Sequence, residues 1–217
     1  MTSPHYNRGI FETPSIDAAK QIILTTETER SSEERWALET GWTAAKIVEQ
    51  CGVTSGDTLL DYGCGIGRLA KEILRIVDVD IIGVDISGAM LKNASLYVDD
   101  NRFWAMHRDA FVRMARAGNV AVNHAYAVYV LQHVEKPDQD IEAIGNATRE
   151  SVFVINNNNR VVPLVDVPNQ SSPWVDDGFD VAATLTQRFP FRADFELDYQ
   201  FMTKMPVGLF SAVFSKK

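Results

Sequence analysis

Residues 58–74 read TLLDYGCGIGRLAKEIL, and this stretch decides the fold. It begins as a short apolar strand that ends in Asp61, passes through a glycine-rich turn and continues at once as a helix. Glycines let the backbone approach a ligand closely, and the first turn of a helix presents free N–H groups to a carboxylate or phosphate. The stretch therefore predicts a site for a nucleotide-like ligand at the end of a buried strand.

Strand and helix patterns alternate along the rest of the chain. Strands are expected over residues 58–61, 79–85, 102–107, 120–128, 151–156, 193–202 and 208–215. Helices between the first five strands predict a parallel sheet with helices on both faces. The last two strands lie close together in sequence, which favours an antiparallel pair at the sheet edge. We therefore expect an α/β fold of the Rossmann-like, doubly wound type, with a mostly parallel seven-stranded sheet and an antiparallel C-terminal edge hairpin.

The length of 217 residues suits one α/β domain, so residues 1–217 are expected to fold together. A capping box between Ser31 and Glu34 predicts a helix before the first strand, and residues 1–55 are expected to form an N-terminal helical cap. Residues 56–217 would then form the Rossmann-like core. Within the core, residues 160–180 contain three prolines and no clear period, which predicts a lid or surface loop.

The composition disfavours several kinds of partner. A formal net charge of −8 provides no global positive field for a phosphate backbone, so nucleic acid is not the expected substrate. The two cysteines, Cys51 and Cys64, have no metal-ligand spacing, and no metal site is expected. No run of 18 apolar residues occurs and the start of the chain has no basic region followed by an apolar one. A cytoplasmic protein without a membrane anchor is therefore expected.

Acidic residues stand at or just beyond the ends of the first three predicted strands. Asp85 follows Gly65 by 20 positions, which places its carboxylate at the tip of the next strand, where it can accept both hydroxyls of a ribose. Asp109 can accept the exocyclic amine of an adenine, while Ile86 and Phe111 offer apolar faces to the ring. These positions predict an adenosine-containing ligand.

Two cofactors fit the glycine turn, because residues 65–70 also match the dinucleotide fingerprint G-x-G-x-x-A. An NAD-dependent oxidoreductase is therefore one interpretation. Against it stands Asp61, whose negative charge would repel a pyrophosphate but would attract a cationic amine or sulfonium. Asp61 thus favours S-adenosylmethionine.

The sequence resembles the class I S-adenosylmethionine-dependent methyltransferases over roughly residues 59–155. Residues 60–67 resemble the first motif of that family, residues 83–87 its ribose-binding motif and residues 108–110 its adenine-contacting segment. Residues 129–134 resemble the segment that follows the fourth strand in many members that act on small molecules. Asn123 departs from the family pattern, in which an acid commonly stands in the fourth strand.

The resemblance implies transfer of a methyl group from S-adenosylmethionine to an oxygen, nitrogen or carbon atom of a small molecule. It implies that the methionine part of the cofactor is held by Asp61, Gly63, Cys64 and Gly65. The ribose would be held by Asp85, the adenine by Ile86, Asp109 and Ala110, and the cleft would be lined by the backbone of Val128. Residues 156–159 are all asparagine and lack the Asn-Pro-Pro-aromatic motif of amino methyltransferases that act on nucleic acids.

The acceptor site is less marked in the sequence. A general base is needed only if the acceptor is protonated, and His133 is the best candidate because an unperturbed histidine titrates near pH 6.5. The other interpretation of His133 is a buried capping residue. Tyr129 and Asn156 are expected to line the acceptor pocket. Since methyl transfer requires no signature nucleophile, a non-catalytic protein that binds S-adenosylmethionine and regulates or scaffolds a partner is an open alternative.

Overall fold

The computed structural model describes residues 5–13, 15–24, 30–165, 174–198, 200–201 and 208–217 of the chain. Its strands are β1 (His5–Tyr6), β2 (Thr58–Tyr62), β3 (Asp80–Asp85), β4 (Phe103–His107), β5 (Val122–Val128), β6 (Thr148–Asn157), β7 (Val161–Val165), β8 (Trp174–Asp176), β9 (Phe191–Asp194) and β10 (Leu209–Ser215). Its α-helices are α1 (Ile16–Ile23), α2 (Ser32–Cys51), α3 (Arg68–Ile76), α4 (Gly88–Val98), α5 (Arg108–Arg116), α6 (Pro137–Ala147) and α7 (Val181–Arg188). A 3-10 turn spans Arg8–Phe11.

The main sheet has seven strands in the order β4-β3-β2-β5-β6-β10-β9. Strands β2 to β6 pair in parallel, whereas β10 runs antiparallel to both β6 and β9. The chain leaves β2 towards β4 on one side and returns to β5 on the other, so β2 and β5 flank a switch point where ligands bind in such sheets. This arrangement confirms the predicted Rossmann-like fold with its antiparallel edge hairpin.

The sheet is buried on both faces, which explains why its central strands are almost wholly apolar. Successive residues of β2 point to opposite sides: Leu60 packs in the core under α5, α6 and α7, while Leu59 packs in the core under α2, α3 and α4. Helix α2 begins with the expected capping box of Ser31 and Glu34. The local pattern of the sequence and the tertiary packing therefore agree in this region.

The edge strand β9 differs from its predicted position at 193–202. It spans Phe191–Asp194, and within the predicted range Tyr199 and Met202 lie outside the described residues. All four residues of β9 are exposed, so burial imposes no pattern on them from which the limits of the strand could be read. Its position is set instead by antiparallel pairing with β10.

A second, three-stranded sheet lies in the order β1-β7-β8. The lid or surface loop expected at 160–180 contains two strands: β7 occupies 161–165 and β8 occupies 174–176, while residues 166–173 lie outside the described parts. The sequence does not indicate this sheet, because β7 contains Pro163 and because its partner β1 is only two residues long and distant in the chain. The division into a cap at 1–55 and a core at 56–217 stays a prediction.

Within the described ranges, no helix is both long and apolar enough to cross a membrane. The same residues contain no group of three or more histidine, cysteine, aspartate or glutamate side chains placed to hold a metal ion.

Candidate active site

The glycine turn between β2 and α3 is tightly packed on both sides. Gly63, Gly65 and Gly67 have φ angles of 76°, 54° and 78°, a region that side chains of L-residues disfavour. A Cβ atom on Gly63 would lie 2.3 Å from the side chain of Val130, and one on Gly65 would lie 2.7 Å from that of Ile23. The turn therefore requires glycine for its conformation and for the close approach of its neighbours.

A cavity of about 550 Å³ lies beyond the carboxyl ends of β2, β3 and β5, at the switch point of the sheet. Its walls include seven of the residues singled out from the sequence: Gly63, Gly65, Asp85, Ile86, Val128, Tyr129 and His133. Six others, which the sequence also predicts for the site, do not line it: Asp61, Cys64, Asp109, Ala110, Phe111 and Asn156. The cavity thus brings together the turn, the ribose candidate and part of the acceptor candidates.

Asp85 is held by backbone donors at the cavity wall. Its Oδ2 accepts a hydrogen bond from the N–H of Gly65 at 2.9 Å, and its Oδ1 accepts one from the N–H of Ser87 at 2.9 Å. Desolvation raises the pKa of this carboxyl, although the hydrogen bonds oppose the rise. Each carboxylate oxygen keeps a second lone pair, so Asp85 can still accept hydrogen bonds from hydroxyl groups in the cavity.

Asp61 lies behind the glycine turn, where its side chain is almost completely buried. Its Oδ2 has no hydrogen-bond partner among the described residues. Burial raises the pKa of Asp61 to about 7, while Tyr126 and Arg68 nearby act in the opposite direction. Cys64 is also buried and belongs to the core beneath the turn. Both residues therefore stand beneath the cavity wall and not on it.

Asp109 and Ala110 lie in the first turn of α5, which begins at Arg108. Asp109 accepts a hydrogen bond from Arg108 Nη1 at 3.0 Å, and this contact lowers the pKa of the carboxyl. The N–H of Asp109 donates to Nδ1 of His107 at 3.2 Å, so the other ring nitrogen of His107 carries the proton and donates to the carbonyl of Ile86 at 3.0 Å. Asp109 is thereby fixed beside Ile86, close to the cavity but off its wall.

A polar network on the cavity wall was not foreseen from the sequence. The Tyr62 hydroxyl and Nε of Arg108 both donate to Oδ1 of Asp140 at 2.6 Å. All three residues line the cavity. They come from β2, α5 and α6, and no local spacing connects them. Tyr62 ends a strand, and Arg108 and Asp140 lie in the first turns of helices that begin at the same edge of the sheet, which is the one signal that could have suggested that they meet.

His133 lies on the wall with both ring nitrogens engaged. Nδ1 is 2.7 Å from the carbonyl of Val161, and Nε2 is 2.9 Å from Nε2 of Gln132. Oε1 of Gln132 accepts from the N–H of Asn157, so its amide nitrogen is the donor toward His133 and Nδ1 of His133 carries the proton. Burial lowers the pKa of His133, which keeps the ring neutral.

Tyr129 and Asn156 have different surroundings. Tyr129 lines the cavity and has a φ of 59°, an unusual conformation for a bulky residue. Asn156 is fully buried; its Oδ1 accepts from the N–H of Gln132 at 3.0 Å and its amide donates to the carbonyl of Asn157 at 2.8 Å. Asn156 therefore positions the segment that carries His133, while its neighbour Asn157 lines the cavity.

Residues 5–13 and 15–24, here called the N-terminal segment, cover one side of the cavity. The Tyr6 hydroxyl donates to the carbonyl of His133 at 2.9 Å, and Glu12 accepts from the hydroxyl of Ser87 at 3.0 Å. The sequence predicts a helical cap over residues 1–55 but does not indicate which of its residues reach the cavity. The spacing of Ile16, Ala19, Ile22 and Ile23, which pack in one core cluster over the turn, is the signal that could have revealed α1.

The sheet order and the cavity at its switch point define a Rossmann-like domain that binds a nucleotide-type cofactor. Residues 59–150 match the family model described as a methyltransferase domain. The match covers less than half of the chain, and over this range the chain is similar to methyltransferases.

Three proteins illustrate what this chain is similar to. A sterol 24-C-methyltransferase of Aspergillus fumigatus is 30% identical over 67 residues, which cover 31% of this chain and 17% of that protein. The N-terminal domain of EvdMO1, crystallised with SAH bound, is 12% identical with a TM-score of 0.63, over 97% of this chain and 100% of that one. A magnesium protoporphyrin IX methyltransferase of Synechocystis with bound SAM is 15% identical with a TM-score of 0.61, over 96% and 93%. The chain spans less than a third of the length of each curated relative it matches.

Proposed function

We propose that this protein binds S-adenosylmethionine in the cavity and transfers its methyl group to a small-molecule acceptor. The observation that carries this proposal is the position of Asp85 beside Gly63 and Gly65 on the wall of a 550 Å³ cavity at the switch point. The two solved neighbours that carry SAH or SAM while sharing this fold support it. A net charge of −8 and a cavity of about 550 Å³ favour a small molecule over nucleic acid as the acceptor.

The residues present fit the cofactor. The backbone of Gly63 and Gly65 would face its methionine part, Asp85 would accept the ribose hydroxyls, and Ile86 would lie against the adenine with Asp109 near its amine. The unpartnered Oδ2 of Asp61 lies beneath the turn and places a buried negative potential below the cationic part of the ligand. Bound there, the sulfonium of the cofactor supplies an electrophilic methyl group.

The contribution of the chain to the reaction is to hold the acceptor and to exclude water. Proximity and orientation can account for about 7 kcal/mol or more of the barrier of a bimolecular step. The N-terminal segment and β8 cover the cavity with Phe11 and Trp174, which shields the reacting atoms from solvent. His133 could accept a proton only at Nε2, and only after the Gln132 amide has moved away.

A thermal-shift series with S-adenosylmethionine, S-adenosylhomocysteine and NAD tests the cofactor. A specific ligand at about 100 times its dissociation constant stabilises a protein by roughly 2.7 kcal/mol, which raises the midpoint by several degrees. We expect this shift with both adenosyl compounds and none with NAD. Stabilisation by NAD alone would instead support the oxidoreductase interpretation. Release of S-adenosylhomocysteine in the presence of an acceptor then separates an enzyme from a non-catalytic binding protein.

A further inference from the structure

We propose that the acceptor is a flat, apolar carboxylic acid, methylated on its carboxylate oxygen without a general base from the protein. This inference rests on the proposed function and concerns the half of the cavity that lies beyond the glycine turn. Tyr6, Phe11, His133 and Trp174 line that half, together with Val161 and Leu209.

Aromatic rings from three separate parts of the chain form one wall of this half. The ring centroids of His133 and Trp174 are 4.9 Å apart, and those of Phe11 and His133 are 6.3 Å apart. Offset and tilted aromatic contacts of this kind extend readily to a further flat ring. The wall therefore suits a flat, conjugated molecule better than a small polar one.

The titratable groups described around this half are already engaged. Both nitrogens of His133 are hydrogen-bonded, and the Tyr6 hydroxyl donates to the His133 carbonyl at 2.9 Å. Glu135 is ion-paired with Arg8 at 3.3 Å. Asp140 accepts from Tyr62 and is paired with Arg108, so protonation of Asp140 would break an ion pair in a buried place.

Arg160 adds a positive charge beside the segment that carries His133. Its guanidinium donates to the carbonyl of Val134 and pairs with Asp177 at 2.9 Å. This charge further disfavours a protonated His133, whose pKa it lowers together with burial. An acceptor that must lose a proton, such as a phenol or an ammonium ion, would therefore have to lose it to solvent.

Charge balance selects a carboxylate among the acceptors that need no base. A cationic acceptor would be repelled by the sulfonium in a site whose lining is largely apolar, whereas an anionic acceptor would be attracted to it. In the transfer, a carboxylate oxygen forms a bond to the methyl carbon while the carbon–sulfur bond breaks and its electron pair stays on sulfur. One positive and one negative charge disappear, a neutral ester and a neutral thioether result, and no proton moves.

The test compares 2-naphthoic acid with 2-naphthol, which share one ring system and differ in the need for deprotonation. Methylated products are measured by mass spectrometry with S-adenosylmethionine between pH 6 and pH 9. We expect methyl naphthoate to form with a kcat that changes less than about twofold over this range, since no base titrates. Methylation of naphthol should be at least about tenfold slower at pH 7 and should rise with pH as naphtholate forms.

A matched variant, His133→Gln, checks the role of the histidine. It should change the KM for naphthoate and leave the shape of the pH profile unchanged. Faster methylation of naphthol at pH 7, a sigmoid profile for naphthoate that vanishes in His133→Gln, or methylation of neither compound would overturn the inference. Calorimetric titration with S-adenosylhomocysteine separates the two proposals: if it does not bind, the proposed function fails, and if it binds while naphthoate is not methylated, only the acceptor class is wrong.

Discussion

Asp61 is the residue whose protonation we expect to respond most to the cofactor. Its pKa is raised to about 7 by burial, and a cation bound above the turn would lower this pKa. At a pH between the pKa of Asp61 in the ligand-bound protein and its pKa in the free protein, binding releases a proton. The affinity for S-adenosylmethionine should therefore rise as the pH increases toward 7. Calorimetry at pH 6.5 in two buffers of different ionisation enthalpy measures the released proton.

Two comparisons control this prediction. S-adenosylhomocysteine lacks the sulfonium charge and should release a smaller fraction of a proton. Asp61→Asn removes the titrating group and should remove the linkage. Equal proton release by the variant and by the parent protein would show that another group is responsible.

Asp85 lines the cavity and accepts a hydrogen bond from the backbone of the glycine turn. In Asp85→Ala the cofactor loses a charged acceptor and the N–H groups of Gly65 and Ser87 lose theirs, so binding of S-adenosylhomocysteine should weaken by about 1.5–3 kcal/mol. Asp85→Asn keeps one acceptor oxygen and should fall in between. Glu196→Ala, which removes an exposed acid, should bind like the parent protein. Unchanged affinity in Asp85→Ala would remove this residue from the site.

At the scale of elements, the β2–α3 connection depends on glycine for two separable reasons. Gly63→Ala introduces both a strained φ and a clash with Val130, whereas Gly56→Ala introduces only the strain, since its φ is 91° and nothing lies within 4 Å of the added carbon. The strain costs about 1–2 kcal/mol, and overpacking adds roughly 1–3 kcal/mol. Urea unfolding should therefore show a larger loss for Gly63→Ala. Equal losses of unfolding free energy in the two variants would mean that Val130 moves aside for the added carbon without any loss of stability.

The segment that carries His133 should weaken in acid. Folding keeps this ring neutral and lowers its pKa, so below about pH 6.5 the unfolded chain binds a proton that the folded chain does not. The share of His133 in the free energy of unfolding should therefore fall as the pH drops from about 6.5 to the lower pKa of the folded state, opposite to the effect of Asp61, whose raised pKa of about 7 favours the folded state in acid. His124, whose pKa is also lowered by burial, acts in the same direction as His133. Urea unfolding of the parent protein and of His133→Gln at pH 5.5 and 7.5 measures how much of the pH dependence of the free energy of unfolding comes from His133. An identical pH dependence in both proteins would show that other groups are responsible.

At the scale of the whole molecule, the N-terminal segment bridges the turn and the acceptor half. It contacts Ser87 through Glu12 and His133 through Tyr6. Ligand in the cavity would be enclosed by it, so S-adenosylhomocysteine should slow the deuterium exchange of amides at residues 5–13 and 15–24. Amides of α7, which packs in the core on the other face, serve as the internal control. Equal protection of the segment with and without ligand would exclude a covering role.

The sequence predicts what depends on neighbours along the chain and misses what depends on distant partners. The glycine turn, the capping box at Ser31 and the order of strands follow from local patterns. The contacts of Asp140 with Tyr62 and Arg108 join the end of β2 to the first turns of α5 and α6, and the exposed β9 has no burial pattern to mark it. The sequence predicts Asp61 near the ligand because it lies at the end of β2. Side chains alternate between the two faces of a strand, however, and that of Asp61 is buried behind the residues that line the cavity.

The pairing of β1 with β7 has a consequence for the order in which the protein assembles. His5 pairs with Val165, more than 150 residues later in the sequence, so this contact requires closure of a very long loop, whereas each β–α unit of the main sheet closes a short one. The small sheet should therefore form late. During refolding, the protein should regain the ability to bind S-adenosylhomocysteine before it regains the ability to enclose an acceptor.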